Sequence, residues 1–580
     1  MTCKFLIANI SRLVNLTNFN RCRSHHLCNI APTVFVFALK PYKNSMKKLL
    51  LIGLYLLTHL LHAQDFNNFS KDIQTYTQLL KIPAMAIGVA KGDSLIYFKG
   101  IGFANPDTKE PVTADHIFVI SSLTKSMTSV MMQQMEAEGK LRLNNLVNDY
   151  PNQYFTKERW DNKTTLAHIL SHTSESKPVG QGFVYNGGKY NVVFNAIKGI
   201  NKIDVPNDMT RAFTYEVEKR LIEPFNLTHT IARYDSVKHK KLSSSVATLY
   251  KFNKDQKLYT NSRLNLPNMQ SGPAYGMMSS VHDLIKYSAA LDKGVIISKE
   301  RYQKITTPFY KGSPQGMGWF VTTFEGVEIH WAYGYGDDAS ILLKVPAKNL
   351  TFAMLSSTDM ASATTRLGFG NPFNSPLICA FLKAFVLNKK EGISFGTDIS
   401  AIENQIKSKK STFNFEELFA YATVMRFAPE SLTESYPSSD DLLKLLIKYY
   451  PVQAKWDTPT AYEIIAKSND KTVLDFGKNL IVKFKQSPQQ HPGKLYFGGL
   501  ILDQTQQTAE SIAIWKNLAD GDDYQEQGYK FDAMMKLAKY YLPTNATLAK
   551  QYLSRLIKYK EYMGGKDRLY NEAKELLEKK

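Results

Sequence analysis

Cysteine is scarce in this chain. Of four in 580 residues, Cys3, Cys22 and Cys28 fall within the first 28 positions, leaving Cys379 alone. One thiol supports neither an internal disulfide framework nor a cysteine-rich metal cluster. Acidic residues are missing from positions 1–63, which hold eight Lys/Arg; this leaves +12 of the formal net charge of +20 for the rest. No basic stripe interleaved with aromatics accompanies that charge, so no nucleic-acid partner is expected. Low-complexity tracts are absent. So are a His-Glu-x-x-His zinc pattern, a phosphate-binding loop and a Gly-x-Ser-x-Gly elbow, and neither metal nor organic cofactor is expected.

What is present is a composition ordinary for a globular protein, 44% hydrophobic and 21% charged. The length exceeds what one core supports, so two domains are expected. Met46-Lys-Lys48, the 13-residue apolar run Leu49–Leu61 and then Ala63 have the build of a secretory signal peptide over 46–63. The run is short of the ~20 residues a membrane span needs, although an uncleaved anchor is the alternative. Residues 1–45 read as a leader outside the native product, with Met46 as the true start. A periplasmic or secreted protein with no stable membrane span after cleavage follows from this reading.

From 64 to 390 the pattern predicts a helix over Phe69–Leu80, a hairpin of Ala84–Ala90 and Leu95–Ile101, and a helix after Ser122 stopped by Gly139. Further on it predicts a helix opened by Ser280, then strands over Val327–Tyr333, Ala339–Val345 and Leu350–Leu355. Strands at both ends around a helical middle predict an α+β fold whose first and last segments share one antiparallel sheet. Residues 391–580 read as an all-α helical domain. Helical hairpins of tetratricopeptide-like character are one form of it, a plain bundle the other, and its surface is a candidate site for a protein or peptide partner. A cut near 392 is expected to release a soluble catalytic part.

Ser122-Leu-Thr-Lys125 carries the chemistry. Residues three apart share a helix face, so a hydroxyl and an amine can look into one cleft, and the helix amino end favours a developing anion. That is the arrangement of an activated serine nucleophile. Chance alone gives about three Ser-x-x-Lys matches in such a chain. Ser45…Lys48, Ser174…Lys177 and Ser468…Lys471 are the others, but only Ser122 opens a helix.

Motifs in order strengthen it: Phe118-x-Ile-x-Ser-x-x-Lys125, Gly139-Lys-Leu-x-Leu143, Leu166-x-x-Ile-Leu-Ser-His-Thr-Ser174, Phe183-x-Tyr185, Gly276-Met-Met-Ser-Ser-Val-His-Asp283 and Gly316-Met-Gly-Trp319. Together they resemble the serine β-lactamase-related family, which covers class C β-lactamases, penicillin-recognising DD-peptidases and related esterases. The resemblance implies a β-lactamase-like antiparallel sheet flanked by helices. It implies Ser122 as nucleophile and Lys125 as the group that deprotonates it. It makes Tyr185 the general base and proton shuttle, its phenol lowered by the nearby ammonium. The Ser122 and Tyr335 N–H groups become the oxyanion hole, and Asn186, Gly187, Ala332, Tyr333 and Gly334 the substrate-binding positions.

Three departures stand out. Tyr185-Asn186-Gly187 replaces the family's Tyr-Ser-Asn, so Gly187 takes the place of an amide that meets substrate. Ala332-Tyr333-Gly334 lacks the cationic or imidazole side chain of the third motif, with His330 a weak stand-in on the same strand face. Glu175 replaces a glycine after His172, a histidine read as structural. The expected function is an exported serine hydrolase forming an acyl-enzyme on small esters, amides or peptides. A degenerate hydrolase fold acting as a binding or scaffold protein is the alternative.

Overall fold

The computed structural model describes residues 66–150, 161–201, 209–262, 266, 269–387, 392–408, 413–452, 454–484, 491–525, 527–562 and 565–578. The expected leader and signal segment lie outside these residues. Helix α1, residues 66–79, comes first. Its Phe69, Ile73 and Tyr76 recur at helical spacing and are wholly buried.

A seven-stranded antiparallel sheet follows. Its strands are β1 (Ala84–Lys91), β2 (Ser94–Asn105), β3 (Glu110–Pro111), and, after two short pairs, β8 (Phe320–Phe324), β9 (Val327–Tyr335), β10 (Ala339–Val345) and β11 (Leu350–Ser356), in the order β3-β2-β1-β11-β10-β9-β8. Early and late segments of the chain meet as expected: β1 pairs with β11 from Met85↔Ser356 to Lys91↔Leu350. The short pairs are β4 (Phe118–Val119) with β7 (Met278–Ser279), and the hairpin β5 (Leu249–Asn253) with β6 (Leu258–Ser262). Neither that hairpin nor β8 was legible as strand.

Side chains alternate across a strand, and on β1, β9, β10 and β11 both faces are buried by different layers. Met85, Ile87, Val89, Trp331, Ile341, Leu343, Phe352 and Met354 share one core with α1. Ala84, Ala86, Ala332, Leu342, Ala353 and Leu355 share the other, with α2 (Thr124–Ala137) and α3 (Val281–Asp292). The small residues on that second face let α2 and α3 approach the sheet. Ser280 caps α3 as expected, its hydroxyl accepting from the Asp283 N–H at 3.2 Å. Helix α4 (Lys299–Thr306) packs near α2.

Beyond residue 391 the described chain is helical. It includes α5 (Asn414–Phe427), α6 (Pro492–Gln504), α7 (Thr508–Asp520) and α8 (Gly528–Tyr541). Consecutive helices pack on one another from α6 to the last, Arg568–Glu578. The core that begins at Phe69 runs on through Phe381, Phe419, Trp456 and Ile501 without a break near residue 390.

Candidate active site

The chain enters the site along β4 and turns sharply. Ser121 takes a left-handed conformation, φ 39°, and opens the 3-10 turn Ser121–Leu123 that leads straight into α2. A non-glycine residue there stores about 1–2 kcal/mol of backbone strain. The Ser121 hydroxyl donates to the Asp338 carboxyl, which burial pushes up to about 7. Opposite the turn, the end of β9 comes so close that a Cβ on Gly334 would stand 2.3 Å from the Ile120 carbonyl oxygen. Only glycine fits. The Gly334–Tyr335 end of β9 thereby lies against the turn that carries Ser122.

Ser122 is half-buried and Lys125 is 3% exposed. The Lys125 Nζ lies 3.0 Å from the Ser122 Oγ and donates to the Ala274 carbonyl at 2.7 Å. Burial alone lowers this amine to about 7. Helix α2 is clamped from several sides. The Tyr190 hydroxyl donates to the Lys125 carbonyl at 3.1 Å, and the Ser129 hydroxyl to the Met317 carbonyl at 2.6 Å. Gly318, at φ 75°, lets that second strap pass: a Cβ there would sit 2.8 Å from the Lys125 carbonyl oxygen.

Tyr185 joins from the far side of the cleft, its ring 5.8 Å from that of Tyr333 and 5.5 Å from the Lys125 Nζ. Its ring lies 4.3 Å from that of His172. His172 Nδ1 accepts from the Asn186 N–H at 3.1 Å, so the imidazole seats the loop, and its burial, with the neighbouring Lys125, keeps it neutral. One expectation is corrected here. Burial outweighs the pull of the neighbouring Ser122 and Tyr333 hydroxyls and pushes the Tyr185 phenol up to about 12, so no ammonium holds it as a phenolate. Lys125 is the group able to accept a proton near neutral pH.

The predicted binding positions divide. Gly187 borders the site, where a Cβ would meet the Lys125 Nζ and the Tyr185 ring at an unstrained 3.9 Å. The Asn186 amide is engaged elsewhere: its Nδ2 donates to Glu175 at 2.9 Å and its Oδ1 accepts from the Lys189 N–H at 3.1 Å. Glu175 also pairs with Lys189 at 2.7 Å. Two departures in sequence are therefore one local solution, since the buried carboxylate needs the amide and the amine. Ala332 turns into the core beside α2, whereas Tyr333, on the opposite face, reaches Tyr185. A neutral phenol thus contacts Tyr185 next to the position where a cation was missed. His330 is no stand-in. It bonds Tyr302 of α4 at 3.0 Å and Glu328 at 2.5 Å.

A family model described as Beta-lactamase matches residues 70–367, just over half of the chain. The chain belongs to this family. Among curated relatives, the Beta-lactamase of Escherichia coli K12 is 22% identical over 277 residues, 42% of this chain and 68% of that protein. The Beta-lactamase of Pseudomonas fluorescens is 24% identical over 271 residues, 43% and 72% of the two. Among solved structures, an octameric penicillin-binding protein homologue from Pyrococcus abyssi is 20% identical and covers 56% of this chain and 78% of its own, with a TM-score of 0.47. The family match spans every element that builds the site up to Leu367 and ends before the helical region. Sequence reasoning missed the Ser121–Asp338 and Glu175–Lys189 pairs. Each joins residues far apart in sequence or replaces a family residue, and only a compensating partner would have exposed it.

Proposed function

We propose that the protein is a serine hydrolase in which Ser122 is acylated and water then releases the acyl group. The observation that carries this reading is the buried Lys125 amine, 3.0 Å from the Ser122 hydroxyl and lowered to about 7. The neutral amine takes the Ser122 proton as the oxygen attacks a carbonyl. The Ser122 and Tyr335 N–H groups receive the negative charge, and one such donor is worth about 3 kcal/mol in a preorganised site. Neutral Tyr185 delivers a proton to the leaving group and recovers one from Lys125. Water repeats the sequence on the acyl-enzyme.

Small esters and amides are the favoured substrates. Gly187 offers no side-chain amide to a peptide or β-lactam carbonyl substituent, which supports simple esters over β-lactams. Export to the periplasm or beyond is proposed from the 46–63 pattern.

A fluorophosphonate probe tests the reading. Wild-type protein should be labelled, and Ser122→Ala should not. Folded wild-type protein that resists the probe would refute the hydrolase and favour the binding-protein alternative.

A further inference from the structure

The cleft does not end with the family's own residues. A cavity of about 210 Å³ opens beside Tyr185 and Tyr333, and its far wall is His491, at the start of α6, and Tyr529 of α8. Both belong to the helical region. That wall is fixed in place. The Lys177 N–H donates to the Asp523 carbonyl at 2.8 Å and the Gln525 N–H to the Glu175 carbonyl at 2.7 Å. The Gln525 side chain donates to the Ser174 carbonyl at 2.8 Å, and Ser176 pairs with Tyr524 as an antiparallel bridge. The segment leading into α8 is thus stitched to the loop that seats Tyr185.

Tyr185, Tyr333, Tyr335, Phe369, His491 and Tyr529 make the lining rich in aromatic rings. His491 lies 5.4 Å from Phe369 and 5.9 Å from Tyr529, ring to ring and edge-on. Its Nδ1 accepts from the Gly493 N–H at 3.1 Å, so Nε2 carries the proton, and burial holds the ring neutral. Arg366 is the one cation on the described wall, and its charge is met in part, with its Nε buried and without a partner. It pairs with Glu463 at 3.1 Å and lies 3.7 Å over the Phe427 ring. An anionic substrate group would have to compete with that pairing. A ring would not, because aromatic walls favour stacked or edge-on rings beyond what burial alone contributes. A dry cavity of ~150 Å³ already accommodates benzene.

Resting on the hydrolase reading, we infer that the helical region supplies a specificity pocket, walled by His491 and Tyr529, for an uncharged aryl group on the substrate. Here the helical region completes the active site.

Two measurements keep this inference separate from the reading beneath it. The Ser122→Ala protein, which cannot turn substrate over, is titrated with N-methylphenylacetamide and with N-methylacetamide by calorimetry. The aryl ligand should bind at least tenfold tighter. Tyr529→Ala in the same background should erase that preference and Tyr529→Phe should keep it. Ala363→Phe, which fills the cavity from the hydrolase side, should erase it without touching the helical wall. Equal affinity for the two ligands, or a preference that survives both Tyr529→Ala and Ala363→Phe, overturns the pocket. Fluorophosphonate labelling of Ser122 is read in parallel. Its failure beside an intact aryl preference sinks the hydrolase and spares the binding site, whereas labelling without the preference does the reverse.

Discussion

At the scale of single residues, the site works through opposite effects of burial on a base and an acid. Desolvation disfavours charge, so it lowers the Lys125 amine to about 7 and raises the Tyr185 phenol to about 12. The rate should therefore follow Lys125 deprotonation, with kcat/KM for a neutral ester rising through an inflection near pH 7 and then levelling. A profile flat from pH 6 to 9 would remove Lys125 from the mechanism. The same shift acts on stability with a definite sign. The unfolded lysine titrates at its ordinary value, 10.5, well above the folded one, so between the two pH values the unfolded state binds more protons. Stability then rises with pH across that window, and the penalty is complete below pH 7. Lys125→Met should be inactive yet more stable than wild type at pH 6, by at most about 5 kcal/mol, with the gap closing toward pH 10. Chemical denaturation at the two pH values checks it.

Between elements, the site depends on how closely β9 lies against the turn before α2. Gly334→Ala would drive a methyl group to 2.3 Å from the Ile120 carbonyl and equally close to the Ser340 hydroxyl. Neither the strand nor the turn can yield alone, so a loss of about 3 kcal/mol and of Ser122 labelling is expected, measured by denaturation and by the probe. Gly187→Ala, with 3.9 Å of clearance, should fold normally. Contrasts of this kind mark what a sequence can show. β9, β10, β11, α2 and the Ser122–Lys125 spacing were legible because local alternation, helical period and motif order all agree there. β8 was missed, since Phe320-Val-Thr-Thr-Phe324 is too short to alternate clearly. That Tyr333 rather than Ala332 faces Tyr185 depends on which sheet face each layer covers, and this is decided by packing distant in sequence. His491 and Tyr529 carried no local signal at all.

Over the whole molecule, the hydrolase part and the helical part share one interior. Phe324 meets Phe373 and Phe413 at 5.2 Å, and Phe381, Trp331 and Phe352 lie in the same core as Phe419, Trp456 and Ile501. Lys383 crosses the junction, bonding Glu417 of α5 at 2.6 Å and Asp72 of α1 at 2.8 Å. The change to helical composition near 390 is therefore no guide to where the core ends. Ending the chain after Leu387 removes Glu417, uncovers one face of the sheet's apolar layer and takes away the strap at 523–525. Contiguous apolar surface of that size drives association. Residues 64–387 alone should aggregate and fail to react at Ser122, while residues 64–580 stay monodisperse and reactive. Size-exclusion chromatography followed by probe labelling decides it. A monodisperse, labelled fragment would show that the sheet, α2 and α3 suffice to hold Ser122, Lys125 and Tyr185 together.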